Sequence, residues 1–363
     1  MDFDMKKLVL FVLAGLLLLT ACSSGGKKVK KVGKTTISAP YELLIVADKE
    51  WLETDEGEVL TGLFKSDVAG VITPEPNFRV MSVNPNTFTK QFRAFANIVI
   101  VKTDSKVKSP SMSIAKDVYA HPQTIMTIVA HDGQQIAEYV NMNGWRLLDI
   151  FIDAELDREM GYLKSVYSGK VMSQAKKQFG CEIYAPQDIQ SIKTGKDFFW
   201  GSSVERDNAL NICMYSYDYD TTDGLLTLEN FVAHRNEVMK ANIPGEHEGQ
   251  YMTTQEIGLV NRYGAGEGPE IQQVRGLWRM ENDVMGGSFV SYVMLDTVSH
   301  RVIVSEGFVY APGKRKRELI RELEASVRTV RIIRNDSPLR ESQETPLAPE
   351  HLLERKKLSS GTK

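Results

Sequence analysis

Apolar positions follow three regimes along this chain. From Leu8 to Leu19 they are nearly continuous, and the run closes on Thr20, Ala21 and Cys22. From residue 40 to residue 130, short apolar runs alternate with stretches of helical spacing. Runs at 41–47, 78–83, 97–102 and 125–130 predict strands. Between the first two, Trp51, Leu52, Val59, Leu60, Leu63 and Phe64 predict a helix over 48–66. Pro85 is suited to a first helical turn, with Phe88, Phe92 and Phe95 on one side. From Gln134 to Phe179 the spacing is helical throughout, broken at Gly144, with Leu148, Ile152, Leu156, Met160, Leu163 and Val166 three and four residues apart.

Beyond Phe179 the pattern lengthens into strands at 198–203, 208–216, 250–263, 271–282, 288–296 and 302–310. Glycines at 264, 266, 268, 286 and 287 fall at turns between them. One helix, 227–241, interrupts this series. Another follows Pro312, with Leu319, Ile320, Leu323, Val327 and Val330 inward. The fold class is therefore α+β: two domains of β-sheet covered by helices, the second mainly antiparallel and sandwich-like. The expected layout is a signal at 1–21, a flexible tether at 22–38, an N-terminal domain at 39–179, a C-terminal domain at 180–335, and a polar, Pro- and charge-rich disordered tail at 336–363.

The first apolar run carries the strongest functional signal. Lys6 and Lys7 precede it and small residues end it, as in a secretory signal, and it is too short to cross a bilayer as a helix of ~20 apolar residues. Asp2 and Asp4 suit such a start poorly, and Met5 gives a cleaner basic one. Leu19-Thr20-Ala21-Cys22 resembles the lipobox of bacterial lipoproteins. The resemblance implies acylation of Cys22 and cleavage just before it. Two or more acyl chains suffice for stable anchoring. Residue 23 is Ser, and no acidic cluster follows Cys22, so neither an inner-membrane retention signal nor a surface-export signal is matched. The expected location is the outer membrane, facing the periplasm.

Composition adds bounds. About 340 residues remain after the signal, enough for two domains. Apolar content of 42% and charged content of 25% are those of a globular chain, and a net charge of −3 gives no general attraction to nucleic acid. Apart from Cys22 there are two cysteines, Cys181 and Cys213. Export allows a disulfide between them, and two buried thiols on strands are the other reading. No CxxC spacing supports a Cys-based zinc site.

Candidate chemistry is sparse. The histidines form no HExxH pair. Glu246-His247-Glu248 lies between glycines as a turn would, and the Gly264–Gly268 run lacks the Lys and strand-to-helix setting of a phosphate loop. No GxSxG is present. The basic run Lys314, Arg315, Lys316 and Arg317 reads as a solvated helix start, or as a contact for anionic head groups or an acidic partner. Tyr215, Tyr217 and Tyr219 fall on one face of a strand, either as core and rim or as a strip that binds sugar or peptide. No catalytic residue, metal site or cofactor is called for.

Two blocks carry a further resemblance. The first is Pro40 to Asp48, Pro74-Glu75-Pro76 with Phe78, and Asn97 to Val101. The second is Gly276 to Glu281, Gly286 to Phe289, Glu306 to Pro312 and Leu323 to Ala325. Together they are similar to a family of uncharacterised Bacteroidota lipoproteins containing a domain of unknown function. The resemblance covers most of the mature chain and brings no catalytic residues with it. In order of elements alone, the second half is also similar to small α/β/α sandwich modules of periplasmic lipoproteins.

The expectation is a lipid-anchored periplasmic envelope protein acting as a non-catalytic binding or accessory module. Its partners would be the membrane, through the N-terminal lipid, and another envelope protein. The alternatives are an enzyme using acids such as Asp48, Glu75 and Asp283 on cell-wall or lipid components, and a carrier for a small apolar ligand.

Overall fold

The computed structural model describes residues 34–203, 209–264 and 271–334. The chain divides into two compact units, 34–68 with 73–159 and 69–72 with 160–334. The lipobox and residues 335–363 lie outside the described residues.

In the first unit, β1 (Lys34–Thr35), β2 (Glu42–Val46), α1 (Lys49–Leu52), α2 (Asp55–Lys65), β3 (Arg79–Val83), β4 (Asn97–Thr103), β5 (Ser111–Lys116), β6 (Ala120–His121), β7 (Thr124–Ala130) and α3 (Gly133–Ser165, through Glu159) follow in order. The sheet runs β3-β2-β4-β7-β5, parallel except for β5. Helix α2 starts where Thr54 accepts the Gly57 amide, with Asp55, Glu56 and Glu58 favourably placed in the first turn. Phe64, Phe78 and Phe151 meet edge-on under the helices, with ring centroids 5.7–6.3 Å apart. On the opposite face Leu44, Val46, Val83, Ile98 and Ile125 form a second apolar layer.

Three expectations change here. Helix α3 runs through Gly144 without a break. A Cβ there would lie 3.1 Å from Leu63 Cδ1, so this glycine serves the close approach of α2 and α3. The helix expected after Pro85 is two 3₁₀ turns, Pro85–Thr87 and Phe92–Ala94, although Phe88, Phe92 and Phe95 do pack together against the sheet. Finally, residues 34–38 of the expected tether are paired rather than free. Lys34 and Thr35 run parallel to Ala120 and His121, and the Ile37 amide donates to the Ala94 carbonyl at 3.0 Å.

In the second unit, α4 (Gly169–Phe179), β8 (Cys181–Glu182), β9 (Ile189–Gly195), β10 (Phe198–Ser203), β11 (Ala209–Asp218), α5 (Leu228–Asn242), β12 (Met252–Tyr263), β13 (Ile271–Met280), β14 (Gly286–Asp296), β15 (Arg301–Tyr310), α6 (Arg317–Arg328) and β16 (Arg331–Ile332) follow in order. Seven strands form one antiparallel sheet, β12-β13-β14-β15-β11-β10-β9. Strand alternation sorts its side chains. Leu210, Ile212 and Met214 of β11 face α4 and α6, while Cys213 and Tyr215 face α5. One antiparallel sheet between two helical layers is the α+β, sandwich-like arrangement expected of the second domain. Helix α6 comes close enough to β15 that a Cβ on Gly307 would meet Leu323 Cβ at 2.6 Å. The expected boundary after 179 also moves, because Val171, Ala175 and Phe179 of α4 pack into the core of this second sheet.

The two helical layers also separate the cysteines. Cys181 belongs to the layer under α4 and α6, and Cys213 to the layer under α5. They are two free buried thiols, Cys181 on the short β8–β16 pair and Cys213 in the seven-stranded sheet, packed in layers on opposite sides of that sheet, not a disulfide. Burial pushes Cys181 up to about 12, so it is protonated and unreactive.

Candidate functional site

Register places Ser291 of β14, Glu306 of β15 and Cys213 of β11 in one row across the face under α5. Helix α5, capped at Thr227, lowers Arg235 onto that row. The guanidinium grips Glu306 with both ends, Nε donating to Oε2 at 2.9 Å and Nη2 to Oε1 at 2.7 Å. Its Nη1 donates to Thr254 Oγ1 at 2.8 Å, and Ser291 Oγ donates to Glu306 Oε2 at 2.7 Å. The Phe289 ring lies 4.1 Å below the guanidinium carbon. Both side chains are fully buried. Burial works against the charge on Arg235, but Glu306 outweighs it and raises the Arg235 pKa. These bonds make the cluster a clamp joining α5, β12, β14 and β15. Neither residue stood out in the sequence.

Beside this clamp the expected tyrosine strip divides. Tyr215 is core, and its hydroxyl has no hydrogen-bond partner among the described residues. Burial, then Glu306, raise its pKa well above the ordinary phenol value. Tyr217 is half-buried and stacks on His234, centroids 3.9 Å apart and planes 12° from parallel. Burial raises Tyr217 to about 12. Tyr219, just past β11, sits with its centroid 5.9 Å from that of the exposed His300, and its amide donates to the His300 carbonyl. The partly exposed aromatic surface is thus Tyr217, His234, Tyr219 and His300. Sequence reasoning missed both histidines, because only the packing of α5 and the β14–β15 turn brings them to the end of β11.

The basic run also divides. Lys314 and Arg315 are exposed, whereas Lys316 and Arg317 are buried. Lys316 Nζ donates to the Lys314 carbonyl at 2.8 Å, and Arg317 pairs with Glu318 at 2.9 Å. Half of the expected solvated or head-group-binding face is therefore part of the fold. Further along α6, buried Glu324 accepts from Gln273 Nε2 at 2.8 Å and from Arg321 at 2.8 Å, and pairs with Arg275. Burial pushes Glu324 up, but Arg275 and Arg321 outweigh it and hold the carboxyl at about 2.

Two of the carboxylates weighed for acid–base work, Asp48 and Asp283, have local tasks. Asp48 caps α1 by accepting the Glu50 amide, and Asp283 accepts the Val284 and Met285 amides in a turn. Glu75 is buried, with its carbonyl accepting the Val68 amide. No group of three His, Cys, Asp or Glu side chains suited to a metal ion occurs among the described residues. Gly264 donates its amide to the Ile271 carbonyl, and the rest of the glycine run lies outside the described residues.

Residues 168–329 match DUF4837, a domain of unknown function. Residues 36–164 match a second such domain, DUF8532. The two matches meet near the division between the units, with DUF4837 on the seven-stranded sheet and DUF8532 on the five-stranded one. No curated protein matches the chain. Among solved structures, human STARD10 is similar over 45% of this chain and 80% of its own, at 9% identity and a TM-score of 0.21, a likeness too slight to bear on the fold or the activity.

Proposed function

We propose that this chain is a lipid-anchored envelope protein, acylated at Cys22 and facing the periplasm from the outer membrane, that serves as a non-catalytic binding or accessory module. The observation that carries the reading is the basic, apolar and small-residue succession from Lys6 through Leu19-Thr20-Ala21 to Cys22. The blocks similar to Bacteroidota lipoproteins agree with it. A binding role, rather than a chemical one, is supported by how the buried charges are spent. Arg235 and Glu306 pair with one another and with Thr254 and Ser291 inside the core, with both side chains fully buried.

Replacing Cys22 with Ser tests the anchor. The variant is expected to move from the membrane to the soluble fraction, and full membrane retention would defeat the reading. The binding surface offered is Tyr217 and Tyr219 with His234 and His300, since half-buried aromatics present area at low entropic cost. In-cell crosslinking of the lipidated protein is expected to capture a dominant envelope protein. The Tyr217→Ala, Tyr219→Ala double variant should lower that capture about tenfold, the effect of losing 1.4 kcal/mol. Unchanged capture would take the partner away from this surface.

A further inference from the structure

Three segments of the first unit converge around Gln123. This buried side chain donates Nε2 to the carbonyls of Arg93 and Phe95, both at 2.7 Å, and its Oε1 accepts the Tyr119 amide at 3.0 Å. The N-terminal segment joins them, as the Thr36 amide donates to the His121 carbonyl and the Ile37 amide to the Ala94 carbonyl. The surface so assembled is unusually apolar for one held this firmly. Ile37 is 60% exposed, Val118 52% and Tyr119 40%. The Arg93 guanidinium stacks over two rings, 5.4 Å from the Phe88 centroid and 5.1 Å from that of Tyr119. Lys90 and Lys116 are exposed in the same segments. Asp117 Oδ1 accepts the Gln123 amide at 2.8 Å, and Oδ2 lies 3.0 Å from His121 Nδ1.

We infer that the surface formed by Ile37, Val118, Tyr119 and Arg93 rests on the lipid bilayer to which the protein is anchored. Aliphatic side chains, a tyrosine and cationic side chains are what the headgroup boundary of an anionic leaflet accepts. The bilayer is chosen as occupant by where the chain enters. The first described residue, Lys34, pairs with Ala120, the residue next to Tyr119. Twelve peptide steps separate Lys34 from Cys22, a reach of at most about 40 Å. That stretch carries Lys27, Lys28, Lys30 and Lys31. The acyl anchor therefore holds this surface within a tether's length of lipid. At that distance even weak burial of three side chains becomes an intramolecular event. The inference rests on the proposed anchor at Cys22.

The test uses the lipidated full chain in vesicles of phosphatidylethanolamine and phosphatidylglycerol, carrying Val118→Cys labelled with a polarity-sensitive dye. Cys181 and Cys213 are buried, so labelling is directed to position 118. Val298→Cys, on an exposed site of the second unit, is the control. The label at 118 is expected to brighten severalfold and shift to the blue, the label at 298 to stay aqueous, and Arg93→Glu to reverse most of the change at 118. If the protein floats with the vesicles while the label at 118 stays aqueous, the bilayer contact is overturned and the anchor stands. Equal changes at 118 and 298, or protection at 118 only after an envelope protein is added, also overturn it. A chain that does not float removes the anchor and this inference together.

Discussion

Replacing Arg235 with methionine is expected to lower folding stability by about 3–5 kcal/mol, the cost of leaving a buried charge without its partner. Glu306 would keep Ser291 as a donor but lose two charge-assisted hydrogen bonds in a fully buried setting. Urea unfolding followed by far-UV circular dichroism reads the effect as a lower midpoint with an unchanged slope. The double variant Arg235→Met, Glu306→Leu should regain most of the loss, because apolar residues of similar volume often replace a buried ion pair at little cost. A double variant as unstable as Arg235→Met alone would mean that the clamp stabilises through its shape, by joining α5 to β15, and not through paired charge.

The second large effect concerns acid. Glu324 has an ordinary value of 4.5 and is held at about 2 in the folded protein. A carboxylate depressed in this way stabilises the fold above its unfolded value, and the stabilisation is lost as pH falls through the folded one. The window is therefore from about 4.5 down to about 2. The shift corresponds to roughly 3 kcal/mol at neutral pH. Unfolding midpoints measured across that window should fall steeply for the wild type. They should fall less for Glu324→Gln, which starts lower because Arg275 loses its counter-charge. Parallel pH profiles for the two proteins would contradict the assignment of the depression to Glu324.

What the sequence revealed of this fold follows from which forces leave a periodic trace. Strands β10, β11, β13, β14 and β15 bury apolar side chains against one or both helical layers, and their alternation is plain. Strand β5 was not legible. It is an edge strand exposed along nearly its whole length, so Ser111 to Lys116 carries no burial pattern. Strand β9 closes the other sheet in the same way and alternates Ile with polar residues only weakly. Gly144 misled for a related reason. Its composition suggests a break, while the space it provides for Leu63 depends on a helix far away in sequence.

Sites were less legible than strands. Tyr215, Tyr217 and Tyr219 do share a face, but burial depends on how far α5 extends over β11, and that separates Tyr215 from the other two. In the basic run, Lys316 and Arg317 are adjacent to exposed Lys314 and Arg315, yet the turn into α6 carries them inward. Gln123, which organises the surface beside the N-terminal segment, is a single polar residue before a strand and shows its importance only through its partners.

The central claim, a lipid anchor on Cys22, is tested most directly by the intact mass of the protein extracted from membranes. A mature chain that begins at Cys22 and is heavier than its sequence by whole acyl groups, all on the N-terminal peptide, is the predicted result. A chain that retains residues 1–21, or one that begins elsewhere with Cys22 unmodified, would contradict the account.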